Sequence, residues 1–329
     1  MRIIFNLMSC GLGNNGGSHT IVRSSNALVD LGHTVYLVDL ISCKYTWTSL
    51  KAKHVVIKNF EQVPNADFII ATGYTTVAST VSLPPRCGKK AHWLRAWESW
   101  KLQESEIIKW ILYAKTIKLV NSISLQKKLG SLGFKSEIAR PGYDFDEIYP
   151  LNIRSDKEIV IGALYNEGKK RRSKRTNWCF DAISFLKKTH KNIKFQMFGS
   201  EGIPKSGLVD KFVKSPSTKE KNHFYNECHI WIAPTELEGL HIPPAEAMLT
   251  ECCVVGTNNP MNGMQDYLDH EKTGLVSHNT IESFIKNINA LIVSERLRKS
   301  LGSIGRQKIL ELGSRQENMK RMIDLLSKQ

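Results

Sequence analysis

Two glutamates stand at the ends of one segment of the chain, Glu238-Gly239-Leu240-His241-Ile242-Pro243-Pro244-Ala245-Glu246. A carboxylate accepts two charge-assisted hydrogen bonds from a diol, which suits it to sugar hydroxyls. Pro243 and Pro244 favour a helix start, so Glu246 falls in the first turns of a helix and Glu238 at the end of the loop before it. Both carboxylates can then address one ligand lying across a helix N-terminus, where backbone N–H groups and the helix dipole favour phosphate. Without further evidence such a pair reads first as a helix-dipole partner, Glu246, and a solvated side chain, Glu238.

Two other groups carry chemistry. Gly11-Leu12-Gly13-Asn14-Asn15-Gly16 fits G-x-G-x-x-G after a strand, and Asp39 ends the following strand, where a ribose-binding acid stands in a dinucleotide site. In that fingerprint the helix begins inside the motif. Here Asn14, Asn15, Gly16 and Gly17 are poor helix formers and Ser18 is the expected cap. The loop still ends at a helix N-terminus and so offers an anion site. The second group is the run Lys169-Lys170-Arg171-Arg172-Ser173-Lys174-Arg175, with six positive charges in seven residues.

The elements that must position these groups alternate. Apolar runs at 2–7, 34–38, 55–57, 68–70, 91–94 and 118–120 read as strands, with helices over 18–31 and 124–132. Arg140-Pro141-Gly142-Tyr143-Asp144 breaks the pattern. A second series follows: strands at 158–162, 194–198, 230–232 and 253–255, with helices over 177–188, 219–226 and 244–249 and further helices to the C-terminus. Strand–helix alternation implies right-handed crossovers and parallel sheets. A length of 329 residues suits about two domains at roughly 100–200 residues each.

Composition narrows the class. Apolar residues make up 41% and charged residues 23%, enough for a folded core. Lys plus Arg number 46 against 31 Asp plus Glu, a net charge of +15 that calls for an anionic partner: phosphate ester, nucleic acid or acidic membrane surface. No apolar run reaches the ~18 residues of a membrane span. Residues 1–6 read as a strand rather than a signal peptide. The seven cysteines are scattered, with no Cys-x-x-Cys, so reduced thiols and a cytoplasmic location, peripheral to a membrane at most, are expected.

The segment from Glu238 to Met248 resembles the Glu-x7-Glu motif of family 4 retaining glycosyltransferases, which have the GT-B fold. Residues 253–258, Asp266-Tyr267 and Thr273-Gly274-Leu275-Val276 are also similar to that family, as are Gly16-Gly17-Ser18, Gly32-His33-Thr34-Val35 and Pro141-Gly142-Tyr143-Asp144. The resemblance implies two Rossmann-like parallel-sheet domains facing a cleft: residues 1–145 for the acceptor, 155–310 for a nucleotide-sugar donor, and a C-terminal helix within 311–329 packing back toward the first. It implies that Glu246 binds the ribose, Glu238 contacts the donor sugar, and Gly239, Leu240, His241 and Ile242 line the donor. Gly16 and Gly17 would approach the diphosphate and sugar, with no metal and no cofactor besides the nucleotide-sugar. Lys174 matches the family lysine set against the diphosphate; Arg172 is the chosen counterpart of the family arginine, with Arg171 close behind.

Two departures stand out. His241 replaces a glycine that lets the sugar approach the backbone. The family histidine after a central strand has no counterpart, since His92 lies too early, and Arg95 or Glu98 takes its place. Trp93, Trp97 and Trp100 are candidates for lining the acceptor pocket, with at least one of them core. The expected reaction is transfer from a UDP-sugar to a glycan or lipid-linked acceptor, with retention, the leaving phosphate taking the acceptor proton. Alternatives are a glycosyltransferase acting on modified nucleic-acid bases, a nicotinamide oxidoreductase that explains only the first half, and a nucleic-acid binder that leaves the glutamate pair unexplained.

Overall fold

The computed structural model describes residues 1–41, 48–99, 102–166 and 173–328. The chain divides into two units, one of Met1–Gly142 with Ser314–Gln329 and one of Tyr143–Gly313. The limits expected from sequence are 145, 155 and 310; the second unit begins at Tyr143, 12 residues before 155, and ends at Gly313.

The first unit holds seven strands in the order β3-β2-β1-β4-β5-β6-β7. They are β1 (Arg2–Asn6), β2 (Thr34–Asp39), β3 (Lys53–Val56), β4 (Phe68–Ala71), β5 (Lys89–Leu94), β6 (Ile117–Val120) and β7 (Glu137–Ile138). Every neighbouring pair is parallel. Central parallel strands are covered on both faces, and Ile3, Ile4, Phe5, Ile69 and Ile70 are accordingly fully buried. The helices of this unit are α1 (Gly16–Asp30), α2 (Val77–Ser82), the single turn α3 (Glu104–Glu106), α4 (Ile123–Ser131) and α10 (Arg315–Ser327).

Helix α10 belongs to the first unit's core. Its Met319, Met322, Ile323 and Leu326 pack with Ile3, Phe5, Val22 and Leu28. A Ser314–Glu317 capping box starts it, and Arg315 donates to the Pro141 carbonyl at 3.2 Å. Gly142 sits at φ +71, and a Cβ there would lie 2.5 Å from the Ser314 carbonyl oxygen, so the crossing of the two segments requires glycine.

The second unit holds six strands in the order β10-β9-β8-β11-β12-β13. They are β8 (Ile159–Leu164), β9 (Ile193–Gly199), β10 (Lys211–Lys214), β11 (Ile230–Ala233), β12 (Cys253–Thr257) and β13 (Leu275–Ser277). Its helices are α5 (Thr176–Thr189), α6 (Thr218–Glu227), α7 (Ile242–Leu249), α8 (Ile281–Val293) and α9 (Glu295–Leu312). One face of the sheet packs on Ile183, Leu186, Phe284 and Ile288. The other packs on an aromatic group in which Phe198, Tyr225 and Trp231 meet at 5.1–5.7 Å between ring centroids.

One local expectation is corrected. Ser18 does not cap α1. Asn15 does, accepting from the Ser18 N–H at 3.0 Å, and the helix begins at Gly16. The amide cap satisfies a donor that glycine's poor helix propensity would otherwise leave exposed. The helix therefore starts inside the glycine motif, and a late start no longer separates this loop from the dinucleotide fingerprint.

Six cysteines of the described residues (Cys10, Cys87, Cys179, Cys228, Cys252 and Cys253) are free thiols; Cys43 lies outside them. Among the described residues, no helix is long and apolar enough to cross a membrane.

Candidate functional site

In the second unit, β11 ends at Ala233 and the chain runs through residues 234–241 into α7. Buried Asn262 pins this loop: its amide donates to the Thr235 carbonyl at 2.8 Å, and Thr257 donates to the same oxygen at 3.0 Å. The Glu238 N–H donates to Met261 at 3.0 Å. A Cβ on Gly263 would fall 1.8 Å from the Gly239 carbonyl oxygen, so that close approach excludes any side chain.

His241 is the N-cap of α7 and lies in the left-handed region, φ +59 and ψ +69. This is backbone that glycine adopts at no steric cost and histidine does not. Its carbonyl accepts from the Tyr267 hydroxyl at 2.6 Å. Its imidazole is 6% exposed, and buried Nδ1 has no hydrogen-bond partner. Burial, then the Lys174 charge, holds its pKa well below the ordinary value, so the ring is neutral. Pro243 and Pro244 carry no N–H, so the first turn of α7 offers the donors of His241 and Ile242 and none from the next two residues.

Each carboxylate already has a cation. Lys174 is ion-paired with Glu238, both side chains about one-fifth exposed, and His241 Nε2 stands 3.9 Å from the same carboxylate. Glu246 accepts from Lys221 Nζ at 2.8 Å through Oε1 and from the Tyr225 hydroxyl at 2.8 Å through Oε2. Sequence reasoning missed Lys221 and Tyr225, both on α6; only the fold brings them to α7. Arg175, the last cation of the basic run, is occupied elsewhere: it pairs with Glu236 at 2.7 Å and Asn279, and its guanidinium lies 4.4 Å from the Trp178 ring. Arg172 and Arg171 lie outside the described residues.

The first unit has a separate pocket of about 440 Å³ at the carboxyl ends of its strands. It gathers Gly17, Arg95 and Glu98 with Cys10, Thr72 and Tyr74. Arg95 donates to the Gly17 and Thr72 carbonyls, both at 2.6 Å, and so ties the glycine loop to β4. Glu98 accepts from the Tyr74 N–H at 2.6 Å. Burial pushes the Glu98 carboxyl above its ordinary pKa, against the pull of that N–H and of Arg95. A Cβ on Gly17 would come 3.2 Å from Asn15 Oδ1 and 3.4 Å from Arg95, whereas Gly16 is exposed with space around it.

His92 is buried in β5, and burial together with the Lys118 and Arg95 charges lowers its pKa to about 3. Trp93 and Trp97 are both buried, Trp93 donating to the Ala139 carbonyl at 2.8 Å, in line with the expectation that at least one of these tryptophans is core. Trp100 lies outside the described residues. Asp39, the ribose acid of the nicotinamide reading, is fully buried. Its Oδ1 accepts from its neighbours' N–H groups, Leu40 at 2.7 Å and Ile41 at 3.3 Å. Among the described residues, no three His, Cys, Asp or Glu side chains gather as a metal site.

A comparison with curated proteins found no match. Among solved structures, HepE of Anabaena in complex with UDP-glucose superposes with a TM-score of 0.82 at 12% identity, over 100% of both chains. Sucrose-phosphate synthase of Thermosynechococcus elongatus superposes with a TM-score of 0.79 at 15% identity, over 100% of this chain and 98% of that one. The lipopolysaccharide outer core galactosyltransferase WaaB reaches 0.74 at 15% identity, over 100% of both. The fold is thus GT-B, two Rossmann-like parallel-sheet domains. Residues 168–308, which hold Lys174, Glu238 and Glu246, match the family of glycosyl transferases group 1.

Proposed function

We propose that the protein is a retaining glycosyltransferase that moves a sugar from a UDP-sugar to a hydroxyl of a glycan or lipid-linked acceptor, without a metal. The observation that carries this reading is the pair Glu238 and Glu246 on either side of the α7 N-terminus, each held by its own lysine. Glu246, fixed through both oxygens, is placed to accept from a ribose diol. Glu238 and the neutral His241 border the sugar. The diphosphate takes the N–H groups of residues 239–242, the helix dipole and Lys174, which stabilise the charge that develops as the phosphate leaves. In retention with front-face attack, the leaving phosphate oxygen takes the acceptor proton, and no further base is required. The first unit's pocket, with Arg95 and Glu98, is assigned to the acceptor. The family match and the fold shared with a UDP-glucose complex support the donor class.

The test is a thermal-shift and hydrolysis screen of UDP-, ADP- and GDP-sugars, run with EDTA. A UDP-sugar is expected to raise Tm and be turned over slowly, with Glu246→Ala losing both effects. Proton NMR of the first-formed product reads the anomeric configuration. No shift and no turnover with any nucleotide-sugar overturns the assignment; loss of turnover in EDTA overturns metal independence.

A further inference from the structure

One surface of the first unit has no part in either pocket. Past β5 the chain passes through α3 into a wide π-type turn, Ile107–Leu112. Ile107, Ile111 and Leu112 face inward, and the first two close the wall behind Arg95, Trp97 and Glu98. The outer side carries Trp110 and Tyr113, 63% and 71% exposed; among the described residues no other tryptophan or tyrosine is as open. Large aromatic surface left in water opposes the main driving force of folding, so a pair of such rings marks a contact surface.

The surroundings are basic. Lys109 Nζ lies 4.8 Å from the Trp110 ring. Tyr113 meets Phe134 edge-on at 5.1 Å between centroids, and exposed Lys115 and Lys135 stand beside these two rings in the chain. Of the two acids of the segment, Glu104 is neutralised by Lys128 at 2.7 Å, and Glu106 caps the start of α3, accepting from the Gln103 N–H at 2.9 Å. Lys118 is committed too, donating to the Ala114 and Thr116 carbonyls. Trp110 and Tyr113 are thus exposed alongside three exposed lysines, Lys109, Lys115 and Lys135, with Glu137 the nearest acid in the chain to Lys135.

We propose that this face seats the protein on an anionic lipid surface, with Trp110 and Tyr113 at headgroup depth and Lys109, Lys115 and Lys135 against the lipid phosphates. Indole and phenol rings have an apolar body and a polar edge, which suits them to the membrane–water boundary. The charges are lysines, with no arginine in residues 102–118. A hydrated ammonium suits attraction to a diffuse charged surface, whereas nucleic acid or a phosphopeptide is read by planar, bidentate arginine. The net charge of +15 adds a long-range pull toward the same surface. The proposal does not depend on the sugar-transfer reading.

Co-sedimentation of the full chain with vesicles tests it, comparing phosphatidylcholine alone with phosphatidylcholine–phosphatidylglycerol mixtures at low and high salt. Binding to the anionic vesicles only, falling with salt, is expected. Lys109→Gln with Lys115→Gln should weaken it roughly 25-fold, at about fivefold per lysine. Trp110→Ser with Tyr113→Ser should weaken it at least about tenfold. The charge-matched control Lys272→Gln with Lys286→Gln, exposed on the second unit, should stay within about twofold. An unchanged Tm shows that each variant is folded. Equal binding to both vesicle types, no binding, patch variants that bind like wild type, or equal loss in the control each overturn the proposal. So does a preference for duplex nucleic acid over anionic vesicles.

Discussion

At position 241 the usual order of alanine and glycine should invert. In ordinary helical backbone, alanine is more stable than glycine by roughly 0.5–1 kcal/mol. His241 sits at φ +59, where a Cβ costs about 1 kcal/mol or more. His241→Ala keeps that strain and leaves the imidazole's space empty. His241→Gly empties the same space and releases the strain. Both remove the unpartnered Nδ1, so that contribution cancels between them. The glycine variant should therefore be more stable than the alanine variant by about 1 kcal/mol, or about 2–4 °C in Tm for a unit of this size. Thermal unfolding by circular dichroism, read on the transition of the second unit, measures the difference. A glycine variant that melts at or below the alanine variant would refute the argument: the strain would then not exist. If the argument holds, this chain accepts a strained residue beside Glu238 in return for an imidazole that a glycine cannot supply.

Three further outcomes are expected. Tyr225→Phe removes one of the two hydrogen bonds that fix Glu246, so KM for the donor should rise about five- to tenfold with kcat within about twofold; steady-state kinetics checks the split. His92 is held neutral with a pKa of about 3, whereas the unfolded chain titrates near 6.5; the unfolded state thus binds the extra proton between these values, and stability must fall as pH drops below about 6.5. At pH 5 the loss is at most about 2 kcal/mol relative to pH 7.5, and urea midpoints of wild type should show a steeper acid decline than those of His92→Gln; parallel declines would count against it. Gly142→Ala places a Cβ 2.5 Å from the Ser314 carbonyl oxygen at φ +71 and should cost about 2 kcal/mol or more, detectable as early loss of amide protection in α10; unchanged exchange there would show that the crossing can relax.

The buried strands were legible because parallel sheets demand continuous apolar runs, and Ile3-Ile4-Phe5 or Ile230-Trp231-Ile232 can hardly be anything else. Edge strands were legible only in part: the run 55–57 pointed to β3, whereas β10 and β7 gave no such run. β10 is Lys-Phe-Val-Lys, its lysines turned to solvent, and β7 spans only Glu137 and Ile138. The helix start at Gly16 was misplaced because propensity was weighed above the Asn15 side-chain cap. In the site, Glu238, Glu246 and Lys174 could be named from spacing and resemblance. Their partners could not, because Lys221 and Tyr225 reach Glu246 only through the packing of α6 on α7. The left-handed backbone of His241 was invisible for a different reason: glycine at such a site announces it, and histidine conceals it.

The charges of the proposed donor site bear on the length of the basic run. Glu238 and Lys174 form one neutral pair, and Glu246 and Lys221 another. The two carboxylates and two lysines thus sum to no net charge before any ligand arrives. A nucleoside diphosphate brings two or more negative charges into this neutral surrounding. The N–H groups of residues 239–242 carry no net charge, and a helix dipole worth about half a charge cannot balance them. Nor can Arg175, which is held by Glu236 and Asn279. If Lys174 moved to the phosphate, Glu238 would be left half-buried without its cation, and the net balance would not change. On the proposed reading the balancing charge is assigned to side chains not already paired with these carboxylates, and the sequence supplies Lys169, Lys170, Arg171 and Arg172 just ahead of Ser173 and Lys174. Replacing Arg171 and Arg172 together by glutamine should therefore weaken UDP binding by at least about tenfold, at roughly 1 kcal/mol or more for each charge, while UDP-free stability stays the same. Calorimetric titration with UDP checks it. Unchanged affinity would mean that the paired lysines alone can carry the diphosphate, and the neutrality argument would fail.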